Sequence, residues 1–530
     1  MQEKRKKIWQ MFGMTLITVL LLNGLATAQS FPRLHPIPPT KGPLVTSDVA
    51  SDPPSQWQTL TNQPPLLNYS ECGPGNPLLL TDGTVLVADD GCQDWWKLTP
   101  DINGSYVNGT WSQIASTPAG YSPLYHASAV LPDGRVIIEG GEYNFLTPVW
   151  SNLGAIYDPV ANTWTSIAPP AGWTTIGDAP SVVLANGAFM LGNCCTAQEA
   201  LLDPKTLTWT PIGKGQFDSN NEQGYTLLPS TKVLTVDAYV PLGIPYEPSG
   251  TNSEIFTPWT GTWQSAGSTI VQLWDSASAC GGEAEATFEL GPMVLRPDGT
   301  VFATGADTCG PGANTAIYNS YTGKWTAGPQ FPPTLNIADG PASLETNGKV
   351  LMMASPGYGN PPSTFLEWDG KDLTEIPGPA NAANDGSYYG NMLMLPNGQL
   401  LFTDFFYVSV FTPKGNYNPA WKPLIALAPF EVKPGDSYLV FGQLFNGFSQ
   451  GAAYGDDAQA ATNFPLVRIT NKKTGHVFYS RTHDHSSMAV ASPFLVYTHF
   501  DVPASQETGP SELVVVANGI PSEPVDVYVK

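Results

Sequence analysis

One hairpin pattern returns along this chain at near-constant spacing, and it limits the possible folds more than any other feature. It is clearest from Tyr125 to Gly141, YHASAVLPDGRVIIEGG, where an apolar run meets an Asp133-Gly134 turn and a second apolar run ends in Gly140-Gly141. Asp-Gly supplies the positive φ that a tight turn needs, and the flanks read as two strands that must bury themselves. The turn recurs at Asp82-Gly83, Asn186-Gly187, Ser230-Thr231, Asp298-Gly299, Asn347-Gly348 and Asn397-Gly398, at intervals of 44 to 68 residues.

Each hairpin is followed by a third apolar run, such as AIYDP from Ala155 or EIFTP from Glu254, and then by a fourth that usually carries tryptophan. These are Trp111, Trp164, Trp209, Trp263, Trp325 and Trp421, with Leu373 in the weak sixth unit. One small sheet cannot bury both of its faces unless neighbours stack on it, so four strands at a period near 50 predict a β-propeller, here of seven blades over residues 55–425. Trp57 also reads as a fourth strand, one more than seven blades require, so the residues around it are expected to close the ring on the last blade. Composition agrees: Gly (52) and Pro (51) are abundant, charged residues make up only 13%, and no long stretch has a helical period. After about residue 426 the repeat gives way to short alternating runs such as ELVVVANG and PVDVYVK. These predict an immunoglobulin-like β-sandwich over 426–530.

At the N-terminus, Lys4 to Lys7 precede an apolar run that ends at Ala26-Thr27-Ala28, a signal-peptide layout with residues 1–28 removed. Residues 29–54 are a Pro/Ser/Thr-rich lead-in. The chain is therefore expected to be secreted or periplasmic, with no membrane segment after cleavage, and monomeric. A net charge of −22 disfavours nucleic acid as a partner. Six cysteines in an exported chain point to disulfides. Cys72 and Cys92 flank the Asp82-Gly83 turn and are expected to pair, Cys280 with Cys309 is the next pairing, and Cys194-Cys195 is either a vicinal disulfide or two thiols. Asn68, Asn103 and Asn108 lie in glycosylation sequons.

Gly140-Gly141, Tyr157 and Trp164 together resemble a kelch repeat, complete in the second unit and degraded elsewhere. A kelch propeller followed by a sandwich resembles galactose oxidase and glyoxal oxidase, the copper-radical oxidases. That resemblance implies copper on the propeller axis, held by a tyrosine cross-linked to cysteine, a Tyr-His pair in the last blade and a histidine from a sandwich loop. Tyr125 falls at the place of the cross-linked tyrosine. Cys72 lies about two residues out of register with the cysteine, the last blade offers Tyr388-Tyr389, and the loop YGDDAQAATNFP places Gln459 where a histidine is expected. Copper prefers imidazole nitrogen, so an intact copper-radical centre is not expected.

The residue eight positions before each turn is equivalent around the ring. This puts Tyr125, Asp178, Glu222, Asp339 and Tyr389 at one channel mouth, with His126, Glu289 and Tyr388 beside them. Such a set suits a cation such as calcium, or a sugar held between aromatic faces. A second cluster, RTHDHSSM, places His483 and His485 two apart on a strand, and with His499 or Asp484 completing the set they form a candidate metal site. The favoured function is an exported propeller that binds extracellular glycans or protein surfaces. The alternative is a galactose oxidase-like oxidoreductase with a rearranged metal centre built on Tyr125 and histidines.

Overall fold

The computed structural model describes residues 56–65, 72–194, 196–217, 219–238, 250–275 and 287–530, all within a compact unit that spans residues 34–530. The leader, the lead-in, Asn68, Cys195 and Cys280 lie outside the described residues. Among the described residues, seven four-stranded antiparallel meanders follow one another, six of them in simple chain order. The first comprises Gly73–Leu79, Val85–Asp90, Trp95–Thr99 and Thr110–Gln113; the second comprises Ala127–Val130, Val136–Glu139, Gly154–Asp158 and Thr163–Ile167. The inner three strands are largely buried and the fourth is largely exposed, as in Val136–Glu139 against Thr163–Ile167.

All seven expected turns join the first two strands of a sheet, and all use the same pair of backbone hydrogen bonds. In the second sheet Gly134 N–H donates to Leu131 and Leu131 N–H donates to Arg135; in the fourth, Thr231 donates to Leu228 and Leu228 to Lys232. This is a three-residue hairpin loop closed by a left-handed residue. Glycine supplies that residue in six sheets, and Thr231 takes it at φ 64° in the fourth.

The fourth-strand tryptophans join one sheet to the previous one. The indole N–H of Trp164 donates to Ala115 at the exit of the first sheet, and that of Trp209 donates to Ala168 at the exit of the second. Trp263 reaches Glu199 in the third sheet and Trp325 reaches Ser253 in the fourth. The sixth sheet has Leu373 at this place and is tied to the fifth by Trp368, whose ring stacks on Phe302 at 3.9 Å. The seventh sheet takes its outer strand from the other end of the chain: Trp57–Thr59 pairs with Val408–Phe411, and Trp57 donates to Pro377 beyond the sixth sheet. Trp111 of the first sheet donates in turn to Asn62, just past that strand. Trp421 lies in a short 3-10 turn outside the sheets, at the exit toward the C-terminal strands.

Those C-terminal strands form a nine-stranded assembly with its own apolar core, including Val440, Ile469, Phe500, Leu513 and Val515. One excursion leaves it. Ala452–Tyr454 adds to the inner edge of the sixth sheet beside Pro341–Leu344. The following residues then meet the inner strands of other sheets: Ala458 N–H donates to His126, Ser128 Oγ donates to the Gln459 carbonyl, and Tyr454 Oη donates to the Tyr388 carbonyl. Residues 452–459 therefore occupy the centre onto which the inner strands converge.

Candidate functional site: a carboxylate cluster and a tyrosine pocket at the centre

Backbone geometry marks this centre before any side chain is considered. Tyr125, Glu222 and Asp339 hold φ of 51°, 59° and 62°, a left-handed conformation costly for non-glycine residues. They occupy the equivalent place in the second, fourth and sixth sheets. Strain repeated at one position of a repeat points to a selected arrangement of side chains.

The acidic members converge. Asp178, Glu222 and Asp456 bring carboxylate oxygens within 4.8 Å of one another, and Glu222, Glu289 and Asp339 form a second such triad. Glu222 belongs to both. All five side chains are buried. Tyr358 Oη donates to Glu289 Oε1 at 2.9 Å and its ring stacks near Tyr388, linking this cluster to the aromatic side of the centre. The sequence alone does not mark Asp456, whose loop stands where the copper-radical family has an imidazole. The Asp456-Asp457 pair was visible there, but nothing local said that it would enter the ring.

Tyr125, His126, Tyr388 and Tyr389 line a neighbouring pocket with Asp90 and Tyr454. Its free space is about 10 Å³, room for about one water or a single ion and too little for a sugar ring. His126 is buried with no hydrogen-bond partner at either ring nitrogen, and burial pushes its pKa down to about 4, so the ring is neutral. Asp90 accepts from Asn76 N–H at 3.3 Å. Burial, with a smaller contribution from the Asp89 charge, nevertheless lifts its carboxyl to about 8. The site thus combines a neutral imidazole, a carboxyl that titrates near neutrality and a tyrosine pair, Tyr388 Oη donating to Tyr389 Oη at 2.9 Å.

The copper ligands implied by the family resemblance are not assembled here. Cys72 is bonded to Cys92, so its sulfur is not available for a cross-link to Tyr125. Gln459 Nε2 donates to the carbonyls of Tyr454, Asp456 and Asp457, folding the side chain back on its own loop. Cys194 and Cys309 are also disulfide-bonded.

The histidine cluster of the C-terminal strands differs from the expected triad. His483 and His499 face each other across adjacent strands, but His485 is turned away. Its Nδ1 lies 2.8 Å from Thr498 Oγ1 and its ring stacks on Phe464. The cause is Asp484, whose φ of 52° ends the strand alternation that would have put residues 483 and 485 on one face. Asp484 takes the place expected of His485, within 4.8 Å of both other ligands.

These meander sheets, with the paired glycines of the second and the tryptophan contacts between neighbours, define a kelch-like β-propeller. No family model matches the chain. Over 149 residues it is 27% identical to the Kelch-like protein terF of Aspergillus terreus (strain NIH 2624 / FGSC A1156), a match covering 26% of this chain and 31% of the relative. The chain thus matches about a third of that relative's length. Among solved structures it is similar to a fungal alcohol oxidase of the AA5 family in complex with copper, at TM-score 0.40 and 16% identity over 86% of this chain and 85% of that one. It is also similar to a streptogramin B lyase, at TM-score 0.43 and 12% identity over 67% and 96% of the two chains.

Proposed function

We propose that the chain is an exported, seven-bladed kelch-type propeller with an immunoglobulin-like C-terminal sandwich. In this reading it binds glycan or protein surfaces outside the cytoplasm, with a calcium-class cation at its centre in place of a copper-radical site. The observation that carries this reading is the shared carboxylate cluster. Two triads of buried carboxyl groups that share Glu222, each with its oxygens within 4.8 Å of one another, cannot all stay ionised unless protons or a cation offset their repulsion. An all-oxygen donor set suits a hard cation such as calcium rather than copper.

Three further features support it. The indole contacts run from each sheet to the one before it and pass through Trp57 from the last sheet to the first, as a closed ring of seven blades requires. Disulfides fit an oxidising compartment. The central pocket is too small for a sugar, so contact with a glycan falls to the blade loops. There Trp259 and Tyr321 present exposed rings on equivalent turns of the fourth and fifth sheets, flat apolar faces of the kind on which sugars stack.

Metal analysis of the purified chain tests the centre. Calcium bound near stoichiometry, retained through gel filtration and lost in Glu222→Gln, is expected. Stoichiometric copper with peroxide release from sugars or aldehydes would instead establish the oxidase alternative. Retention on insoluble polysaccharide is expected to weaken in the Trp259→Ala, Tyr321→Ala double variant, and unchanged retention would remove those rings from the binding surface.

A further inference from the structure

Away from the centre, the C-terminal strands bring together a set of side chains that the central site does not use. His483 lies directly opposite His499 in an antiparallel pair, and their rings stack at 5.3 Å with 16° between planes. Asp484 Oδ2 sits 2.8 Å from His483 Nδ1, and Asp501 Oδ1 sits 3.1 Å from His483 Nε2. Arg481, on the same face two residues before His483, pairs with the other oxygen of Asp501 at 3.3 Å. His499 Nδ1 is buried and has no hydrogen-bond partner.

We propose that His483, His499 and Asp484 form a binding site for a divalent transition-metal ion of the zinc class, with Asp501 as the carboxylate that orients His483. Each of the three offers a ligand atom within 4.8 Å of the others. Metal–ligand bonds of about 2.0–2.1 Å place tetrahedral ligand atoms roughly 3.3 Å apart, so small side-chain rotations close the site. The Asp501 contact on Nε2 leaves Nδ1 of His483 to face the metal. This is the arrangement in which a carboxylate fixes the tautomer and raises the basicity of a ligating imidazole. Arg481 holds Asp501 in place without approaching as a ligand, since guanidinium has no lone pair to give. Two imidazoles and one carboxylate match zinc better than calcium, which takes oxygen donors. Three protein ligands leave a fourth position for water or an exogenous group, and Asp484, 57% exposed, sits on the open side.

The site is tested by titrating zinc into the tag-free full chain in excess calcium, which keeps the central carboxylates occupied. A single saturable zinc site is expected, with a zinc-induced rise in melting temperature. His483→Ala and His499→Ala should each weaken binding by about 100-fold or more, and Asp501→Asn by roughly 10-fold. His485→Gln should bind as the unmodified chain does. Circular dichroism checks that each variant is folded, and Asp484→Asn provides a milder ligand change should an alanine variant fail that check. Absence of saturable binding in the unmodified chain overturns the proposal, as does undiminished binding in folded His483→Ala or His499→Ala. Bound calcium is read separately by metal analysis of the same samples, so failure of the calcium reading and failure of this one remain distinguishable.

Discussion

Trp57→Ala is expected to lower the unfolding free energy by about 3–5 kcal/mol, the usual cost of truncating a buried aromatic. Trp57 is 8% exposed, and its ring lies 4.9–5.4 Å from those of Phe365, Phe402 and Phe411, which belong to the sixth and seventh sheets. Its indole N–H donates to the Pro377 carbonyl at 2.8 Å. One side chain therefore fills a gap between two sheets and anchors the three-residue strand Trp57–Thr59, whose backbone pairs with Val408–Phe411. Trp57→Phe should recover most of the packing and forfeit the hydrogen bond, worth about 1 kcal/mol. The loss should exceed that of Trp209→Ala, because Trp209 is half-buried and its strand is already joined to the preceding strand by a short turn. Equal destabilisation by the two alanine variants in denaturant titrations would remove the special role given to the closing strand.

The second large effect is a fall in stability as pH rises. Burial lifts Asp89 to about 7, Asp90 to about 8 and Glu345 to about 8. Glu199 is also lifted to about 8 by burial, against hydrogen bonds from Trp263 and Tyr225 and with a further push from the Glu254 charge. A carboxyl whose folded pKa lies above its unfolded value takes up a proton on folding. Its contribution to stability is therefore complete below about pH 4 and is lost as pH climbs toward 8. At about 1.4 kcal/mol per unit, Glu199 alone represents on the order of 5 kcal/mol. Asp369 and Glu507 run the other way, held down by backbone N–H groups and by Thr474 and His476 respectively, but both lie near the surface where such shifts contribute little. The buried His126 and His485, pushed down to about 4 and about 3, oppose the fall only below about pH 6.5 and are outnumbered by the raised carboxyls. Melting temperature at constant calcium should fall steadily from pH 5 to pH 8, and Glu199→Gln, which keeps a carbonyl oxygen for Trp263 and Tyr225, should flatten part of that slope. A melting temperature that is level or rising over this range would count against neutral carboxyls at these positions.

The two kinds of information in this sequence were unequally legible. Local rules located all seven hairpin turns, because a left-handed residue after an Asp, Asn or Ser leaves a compositional mark. Cys72 and Cys92 could be paired by their symmetry about one turn. Comparison across the repeat also picks out Asp178, Glu222 and Asp339 as equivalent positions, and Asp178 and Asp339 each meet Glu222, in two triads. Asp456 escaped because it arrives from a different part of the chain, and a repeat register says nothing about what enters from outside the repeat. His485 was misplaced for a smaller reason: strand alternation was extended one residue too far, through Asp484. A single left-handed aspartate reverses which side chains share a face.

The closing strand has a consequence in time. Gln63, at the exit of that strand, bonds to Val408, 345 residues further along the chain. At about 5–20 residues per second, Trp57 is made roughly 20–70 s before its partner strand exists. The Trp57–Thr59 strand therefore stays unpaired until Val408–Phe411 has been made, while the six intervening sheets can form in sequence. Any exposure of that strand to export machinery, chaperones or a second copy falls within this interval, and the seventh sheet is completed by one of the first strands made.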